Sequence, residues 1–329
     1  ERLVMTEFLQ FIQGLKVSLF AIDESHCISE WGHDFRPEYR QLKMLKDKFP
    51  QVPLIALTAT ATPVVQKDII SQLRLRDSKV FTASFNRKNL YYQIRPKDNP
   101  FRQILQYLEE RKKESGIIYC QSRKSVEDLA DRLQTKGYRA FPYHAGLTSA
   151  IRNKNQEQFI HDDAEIIVAT IAFGMGIDKP NVRYVIHYDL PKSIEGYYQE
   201  TGRAGRDGLK SDCILFFSYA DKFKIEHFIE QKTDEKEKQS AYKQLREIIA
   251  YCESKVCRRR TLLAYFGEIF DEPNCCNCDT CIEPKERFDG TIAAQKILSC
   301  IYRTGERFGI TYVADVLTGS KNHKILENS

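Results

Sequence analysis

The sequence predicts an α/β protein with two parallel-sheet domains in series, followed by a small helical domain that carries cysteines. Three observations predict it. Near the start, short apolar runs end in acids or polar loops. Through the middle, strands alternate with helices of ordinary length, the pattern of a doubly wound sheet. Beyond about residue 220 the apolar spacing turns helical, and six of the ten cysteines crowd between Cys252 and Cys281.

Taken in order, "VSLFAI" (Val17 to Ile22) reads as a buried strand ending on acids. "PLIALTATAT" (Pro53 to Thr62) repeats the form after an amphipathic helical stretch, giving part of a first α/β domain over 1–95. After the linker-like "RPKDNP" (Arg95 to Pro100) a fresh alternation begins. It runs strand "GIIYC", helix "SVEDLADRLQTKG" with Ser125 and Asp128 as a capping box, strand "YRAFPYH" and helix "SAIRNKNQEQF". Strands "EIIVAT", "VRYVIHY" and "CILFF" complete a second α/β domain over 96–220. Leu245, Ile248, Ile249 and Cys252 then recur at helical spacing, placing a helical domain over 221–286. "TIAAQKILSCIYRTG" opens a further helical piece over 287–329 that stops short.

The totals bound the function classes. With 50 Lys and Arg against 45 Asp and Glu, the net charge of +5 permits a polyanionic partner without demanding one. No apolar run approaches the roughly 18 residues of a membrane span, and "ERLVMTEFLQ" is charged rather than a signal peptide. A soluble intracellular protein is expected, in which clustered cysteines point to metal rather than disulfides. A chain that begins at Glu1 and ends at "HKILENS" within a patterned region is expected to be a fragment.

Ligands of open parallel sheets bind beyond the carboxyl ends of strands, where Asp23 and Glu24 fall. Two adjacent acids there can divide labour: one holds hydrated Mg²⁺ at nucleotide phosphates, and the other orients or deprotonates an attacking water. A bare "DE" is also compatible with a solvated acidic turn. Trp31, the single tryptophan, lies in a loop with Phe35 and Arg36 rather than on a periodic apolar face, and unpaired bases stack on such planes. In "SIEGYYQETGRAGR", a helix or helical turn would set Gln199, Arg203 and Arg206 on neighbouring rows, two guanidinium forks facing one phosphate cluster. Gly174 and Gly176 allow close approach of backbone to a ligand.

Cys275, Cys278 and Cys281 stand at two-residue gaps, a knuckle for one tetrahedral Zn²⁺. For the fourth ligand, Cys252 falls on the apolar stripe, whereas Cys257 breaks it beside "RRR" and is chosen. The adjacent Cys276 could stand in for Cys275. Arg258, Arg259 and Arg260 either track a DNA backbone or solvate an exposed helix. His144 and His187 read as structural histidines, and Tyr197 and Tyr198 as packing for a domain cleft.

"DESHCISEWGHDFRPEYRQL" resembles the motif II and aromatic-rich loop of RecQ DNA helicases. The resemblance continues through "LTATAT", "GIIYCQSRKSVEDLA", "YHAGL", "VATIAFGMGIDKPNVRYVIHYDLP" and "YYQETGRAGRDG", which look like motifs III to VI in order. It implies tandem RecA-like domains of the P-loop class, the first incomplete, then a zinc-binding domain and the start of a winged helix. ATP and Mg²⁺ are implied at Asp23, Glu24, Gln199 and Asp178, with Arg203 and Arg206 reaching over from the second domain as arginine fingers. DNA contacts are implied for His26, Trp31, His33, Phe35, Arg36 and Thr170, with His26 and His33 coupling the two ligands. Gln121, Ser122 and Arg123 are backbone-phosphate contacts or, alternatively, a helix cap with solvated charge. One departure is plain: no G-x-x-x-x-G-K-[ST] loop occurs, and the RecQ pattern would place it before Glu1.

The implied activity is ATP-dependent 3′-to-5′ DNA unwinding in recombination and repair, in a bacterial cytoplasm at the nucleoid. The implied partners are single-stranded and forked or duplex DNA and single-stranded DNA-binding protein, with no membrane. The alternative for an isolated fragment is a non-catalytic, zinc-stabilised DNA-binding module. RNA remodelling by a related motor is disfavoured by the tryptophan loop and the cysteine domain.

Overall fold

The computed structural model describes residue 3 and residues 5–32, 34–75, 77–174, 177–284 and 289–320. Two compact units emerge, Glu1–Pro284 and Lys285–Ser329.

In the first unit, α1 (Thr6–Gln13) buries Leu9 and Ile12, one helical turn apart. β1 (Phe20–Ile22) and β2 (Leu54–Ala56) pair in parallel, with 3-10 turns at Ser25–Ile28 and Pro37–Lys43 and the short α2 (Met44–Lys48) between them. The expected strand from Val17 is only three residues long, because β2 offers a ladder to Phe20, Ala21 and Ile22 alone. α3 (Pro63–Gln72) starts where the Thr62 hydroxyl accepts from the Val65 N–H and Pro63 fills the first helical position. Ile22, Leu45, Val65, Ile69 and Leu73 form the core of this part.

The second sheet holds β3 (Leu90–Pro96), β4 (Ser115–Tyr119), β5 (Ala140–Tyr143), β6 (Ile166–Ala169), β7 (Val182–His187) and β8 (Ser211–Phe217). Their order is β3-β8-β7-β4-β6-β5, all parallel. β4 is buried along its whole length, as a central strand of a sheet covered on both faces must be. Its residues alternate between two cores. Ile118 packs with Ile104 and Leu108 of α4 (Pro100–Glu109) and Leu129 of α5 (Arg123–Thr135). Ile117 packs with Phe159 of α6 (Ser149–Ile160) and Tyr197 of α7 (Ile194–Thr201). Gly116 is fixed by packing, since a Cβ there would lie 1.9 Å from the Tyr184 ring.

Two expectations are corrected. The division between 95 and 96 falls inside β3, which pairs with β8 throughout, so the second sheet begins at Leu90. The cap of α5 is Ser122, whose hydroxyl accepts from the Ser125 N–H at 3.0 Å; the helix starts three residues earlier than a Ser125 cap would give.

α8 (Tyr219–Glu230), α9 (Glu235–Glu253), α10 (Arg258–Tyr265) and α11 (Asp279–Ile282) follow. Leu245, Ile248 and Tyr251 of α9 and Leu262 of α10 share one core with Val185 and Leu215 of the sheet, so packing runs without a break across the expected boundary at 220. The second unit, by itself, contains α12 (Thr291–Arg303) and α13 (Ile310–Leu317), with Cys300 and Val313 buried. Among the described residues no helix is long and apolar enough to cross a membrane.

Candidate functional site

Asp23 and Glu24 follow β1 directly. Glu24 takes the left-handed backbone conformation (φ 48°, ψ 40°), which a non-glycine residue adopts at a local cost. Its N–H donates to Asp23 Oδ1 at 2.8 Å. Asp23 is exposed, as a ligand for a hydrated divalent cation must be. Glu24 Oε2 lies 3.3 Å from His26 Nδ1, which is 2.9 Å from Thr58 Oγ1. Glu24 Oε1 accepts from Gln199 Nε2 at 3.3 Å, a link between residues 175 apart that joins the end of β1 to α7. Beside these groups Ser25 Oγ and Thr60 Oγ1 are buried without a partner among the described residues. An acidic strand end with unpaired hydroxyls suits a ligand rich in phosphate oxygens.

α7 begins at Ser193, whose hydroxyl caps Gly196, and ends at Thr201. Arg203 and Arg206 therefore lie beyond the helix, not on its rows. Gly205, four residues past the helix end, turns the chain: its φ is +55°, and a Cβ would lie 2.4 Å from Asn89 Nδ2. Arg203 is buried, and its Nη1 donates to the Gly174 carbonyl while Nε has no partner among the described residues. Arg206 Nη1 pairs with Asp178 Oδ1 at 2.8 Å on the surface. The two guanidiniums are thus held by Gly174 and by Asp178. Gly174 makes the close approach expected of it, but towards Arg203 Nη2, which a Cβ would meet at 3.2 Å. Gly176 lies outside the described residues.

Trp31 is 64% exposed. Phe35 is half-buried beneath Arg40, whose Cζ is 5.0 Å from the ring centroid, and Arg36 pairs with Asp34 at 2.6 Å. The indole is thus largely in solvent, and the Arg36 fork is partly exposed. His26, by contrast, is buried, its imidazole lying against Thr58 and Glu24. His33 lies outside the described residues.

Gln121 to Arg123 follow β4, and Thr170 follows β6, so the two groups sit side by side at the carboxyl ends of paired strands. The Gln121 N–H is already engaged, donating to Asp189 Oδ2 at 2.9 Å, and Ser122 is the helix cap. Asp189 in turn holds Lys97 Nζ at 2.7 Å, and Lys97 also reaches Asp221 at 2.8 Å. The Arg123 guanidinium reaches over Gly146, whose Cβ would meet Nη1 at 3.1 Å. The structural reading of His144 and His187 agrees with their bonds to Glu127 (3.0 Å) and Glu200 (2.6 Å).

The sulfurs of Cys257, Cys275, Cys278 and Cys281 all lie within 4.8 Å of one another. Four sulfurs at about 2.3 Å from a tetrahedral zinc stand about 3.8 Å apart, so the cluster closes on the ion with sub-ångström adjustments. Hydrogen bonds within the cluster, that of Cys257 first, lower the Cys278 thiol and raise that of Cys275, and burial raises that of Cys281. Cys252 packs in the core on α9, and Cys276 turns outward at φ +50°.

The sequence reading missed what the neighbouring arginines do. Arg258 and Arg259 are 5% and 4% exposed, so they neither track a DNA backbone nor solvate a helix. Arg258 forks onto Asp279 at 2.8 and 3.2 Å. Arg259 donates to Asn86 Oδ1 (2.6 Å) and to the carbonyls of Arg87 (2.7 Å) and Leu90 (2.8 Å). Thr58 was also missed as a partner of His26, although "LTATAT" contains it.

Residues 99–208 match the family described as helicase conserved C-terminal domain, 219–282 that described as RecQ zinc-binding, and 284–329 that described as RQC domain. The chain is 48% identical over 328 residues to the ATP-dependent DNA helicase RecQ of Pasteurella multocida, covering 100% of this chain and 52% of that protein. It is 46% identical to the protein of the same name in Bacillus subtilis, covering 100% and 56%. The RecQ-like DNA helicase BLM of Xenopus laevis is 46% identical over 93% of this chain and 24% of its own length. The chain thus spans about half the length of the curated bacterial relatives it matches. Among solved structures, Saccharomyces cerevisiae Dbp5 bound to RNA and ADP BeF3 shares the fold with a TM-score of 0.53 at 20% identity, over 68% of this chain and 60% of that one.

Proposed function

This chain belongs to the RecQ family, and on that premise we propose that it is the ATP-dependent motor of a DNA helicase, moving 3′ to 5′ on single strands and unwinding duplexes. The observation that carries the proposal is the placement of Glu24 between two elements. One carboxylate oxygen meets the His26–Thr58 pair and the other meets Gln199 on the second sheet's helix.

In this reading the residues before the 84–90 connector represent the first RecA-like domain and those from Leu90 to about 220 the second. A zinc-binding domain follows to about 286, and the start of a winged helix takes the rest. Asp23 anchors hydrated magnesium, which when bound neutralises phosphate charge. Glu24 orients and deprotonates the attacking water, with Gln199 fixing its carboxylate. Arg203 and Arg206 exchange their 174–178 partners for developing phosphate charge, and Asp178, released by Arg206, takes up the nucleotide sugar. Trp31, Phe35 and Arg36 stack unpaired bases, while Gln121, Ser122, Arg123 and Thr170 line the sugar-phosphate track. Cys257, Cys275, Cys278 and Cys281 hold zinc. Single-stranded and forked or duplex DNA are the proposed substrates. Single-stranded DNA-binding protein is a proposed partner, and the bacterial cytoplasm at the nucleoid the proposed location.

The test is Arg206→Ala in the full-length protein. DNA binding is expected to persist while DNA-stimulated ATP turnover and unwinding of a 3′-tailed duplex are lost. Unchanged turnover overturns the arginine assignment, and a wild type that binds DNA without any turnover favours a non-catalytic DNA-binding module.

A further inference from the structure

We infer that Arg87 and Arg259 are positioning residues that tie the placement of Arg203 and Arg206 to the cysteine cluster. The inference rests on the proposed role of those two arginines in hydrolysis.

Arg87 lies in the connector between the two sheets. Its guanidinium donates to three carbonyls in the segment around Arg203: Gly202 (3.2 Å), Ala204 (3.0 Å) and Gly205 (2.8 Å). Carbonyls just past a helix end have lost their helical partners, and a rigid planar fork with five donors can hold several at once. Asn89, two residues on, adds a second bond to the Gly205 carbonyl at 2.9 Å. The backbone on both sides of Arg203, up to the residue before Arg206, is therefore fixed by the connector.

The connector is itself fixed from the other side. Arg259 donates to the carbonyl of Arg87 at 2.7 Å and to that of Leu90 at 2.8 Å. A buried guanidinium is tolerated only while its donors are satisfied, so Arg259 holds the connector in one conformation. Arg259 is the second residue of α10, and the residue that caps that helix is Cys257, one of the four clustered thiols. Metal ligation at Cys257 fixes where α10 starts, hence where Arg259 points, hence where Arg87 holds residues 202–205. The relay has three links, and none of them touches nucleotide or DNA.

Its loss changes the geometry of groups that act in the transition state, not the ground-state fit of nucleotide, so the effect falls on kcat rather than KM. A shift of about 1 Å in a reacting geometry costs up to roughly 100-fold. For Arg87→Ala in the full-length protein we expect DNA-stimulated kcat to fall about tenfold, with KM for ATP within about twofold of wild type. Arg87→Lys, a point charge unable to bridge three carbonyls, should fall between. Bound zinc and thermal midpoint should be unchanged, while hydrogen exchange in peptides covering 202–209 accelerates. Arg259→Lys should reproduce the kcat loss with zinc retained, and the double variant should lose no more than either single one.

Wild-type kcat with unchanged 202–209 protection overturns the inference. So do additive losses in the double variant, or exchange that quickens uniformly with zinc released, which marks a general structural role. If wild type shows no DNA-dependent turnover, the hydrolytic reading fails on its own. The exchange arm then decides the relay: faster exchange at 202–209 in Arg87→Ala with zinc retained supports it, and unchanged exchange overturns it.

Discussion

Arg258→Met is the perturbation whose cost is best defined by the structure. The guanidinium donates to both oxygens of Asp279 (2.8 and 3.2 Å) and to the carbonyls of Tyr251 (2.7 Å) and Cys252 (3.3 Å) in the last turn of α9. Methionine fills much of the same volume and removes all four donors. Hydrogen bonds to charged groups contribute about 1.5–3 kcal/mol each, but a plain sum overshoots because the four share one cation. Asp279 also retains the N–H groups of Ile94 (2.9 Å) and Thr280 (2.7 Å). Removing one partner of a buried, hydrogen-bonded pair costs about 3–5 kcal/mol, and that figure applies here. Against a total stability of about 5–15 kcal/mol it is severe, lowering the thermal midpoint of the zinc-loaded protein by roughly 6–10 °C. Urea denaturation should give the same loss in free energy. The companion variant Asp279→Asn keeps an acceptor for Ile94, and the double variant should cost less than the two singles together by about 1–3 kcal/mol. A loss below about 1 kcal/mol, or strict additivity, refutes the claim that this pair holds α9, α11 and β3 together.

Three further outcomes are expected. One zinc per chain should be measured by metal analysis, and its removal by chelation, or Cys278→Ser, should render the 250–284 region protease-sensitive, since Cys257 and Cys278 lie within the shared core. Trp31→Ala should change stability by less than about 0.5 kcal/mol, because the indole is largely in solvent, yet weaken single-strand binding by about 1–3 kcal/mol in a titration. Burial first, and then the Asp34 charge, push the Cys27 thiol from its ordinary 9.0 up to about 12. A raised folded value means that the native state keeps this proton, so the associated stability is complete below about pH 9 and is lost as pH rises towards 12. At pH 8.5 iodoacetamide should therefore modify the exposed Cys276 first and leave Cys27 intact, as read by peptide mass mapping.

What the sequence made legible, and what it hid, follows from the kind of signal each feature leaves. Strands β4, β6, β7 and β8 are apolar runs buried on both faces, and such runs are visible in one dimension. β3 is an edge strand with a mixed burial pattern and a terminal proline, so "NLYYQIRP" reads partly as linker. Cys257 was separable from Cys252 because a residue that interrupts a helical stripe is available for another task, and Cys252 is indeed packed on α9. Arg258 and Arg259 carry no such mark. An arginine that binds backbone carbonyls looks like a surface arginine, and the carbonyls that Arg259 holds are 172 and 169 residues away. The same holds for Arg203: the glycines around it suggested a phosphate site, but only the fold reveals that the helix ends at Thr201 and that Gly174 receives the guanidinium.

Between Glu24 and Arg36, acids and aromatics are joined through backbone as well as through the side chains of His26, Cys27 and Asp34. The Gly32 N–H donates to the Ser29 carbonyl at 3.1 Å, and the Arg36 N–H returns to the Cys27 carbonyl at 2.8 Å. A Cβ on Gly32 would lie 2.8 Å from the His26 carbonyl, so the chain next to Trp31 rests directly on the residue that holds Glu24. Exposed indole and buried imidazole are therefore two ends of one closely packed turn. In the proposed reading a base resting on Trp31 would load the His26 end of the turn, while nucleotide would approach the Glu24 carboxylate from the side on which Gln199 holds it. If the two ligands act on one carboxylate in this way, linkage requires that they alter each other's affinity by the same factor. DNA dependence of hydrolysis and nucleotide dependence of strand binding would then have their common origin in the backbone between Glu24 and Gly32.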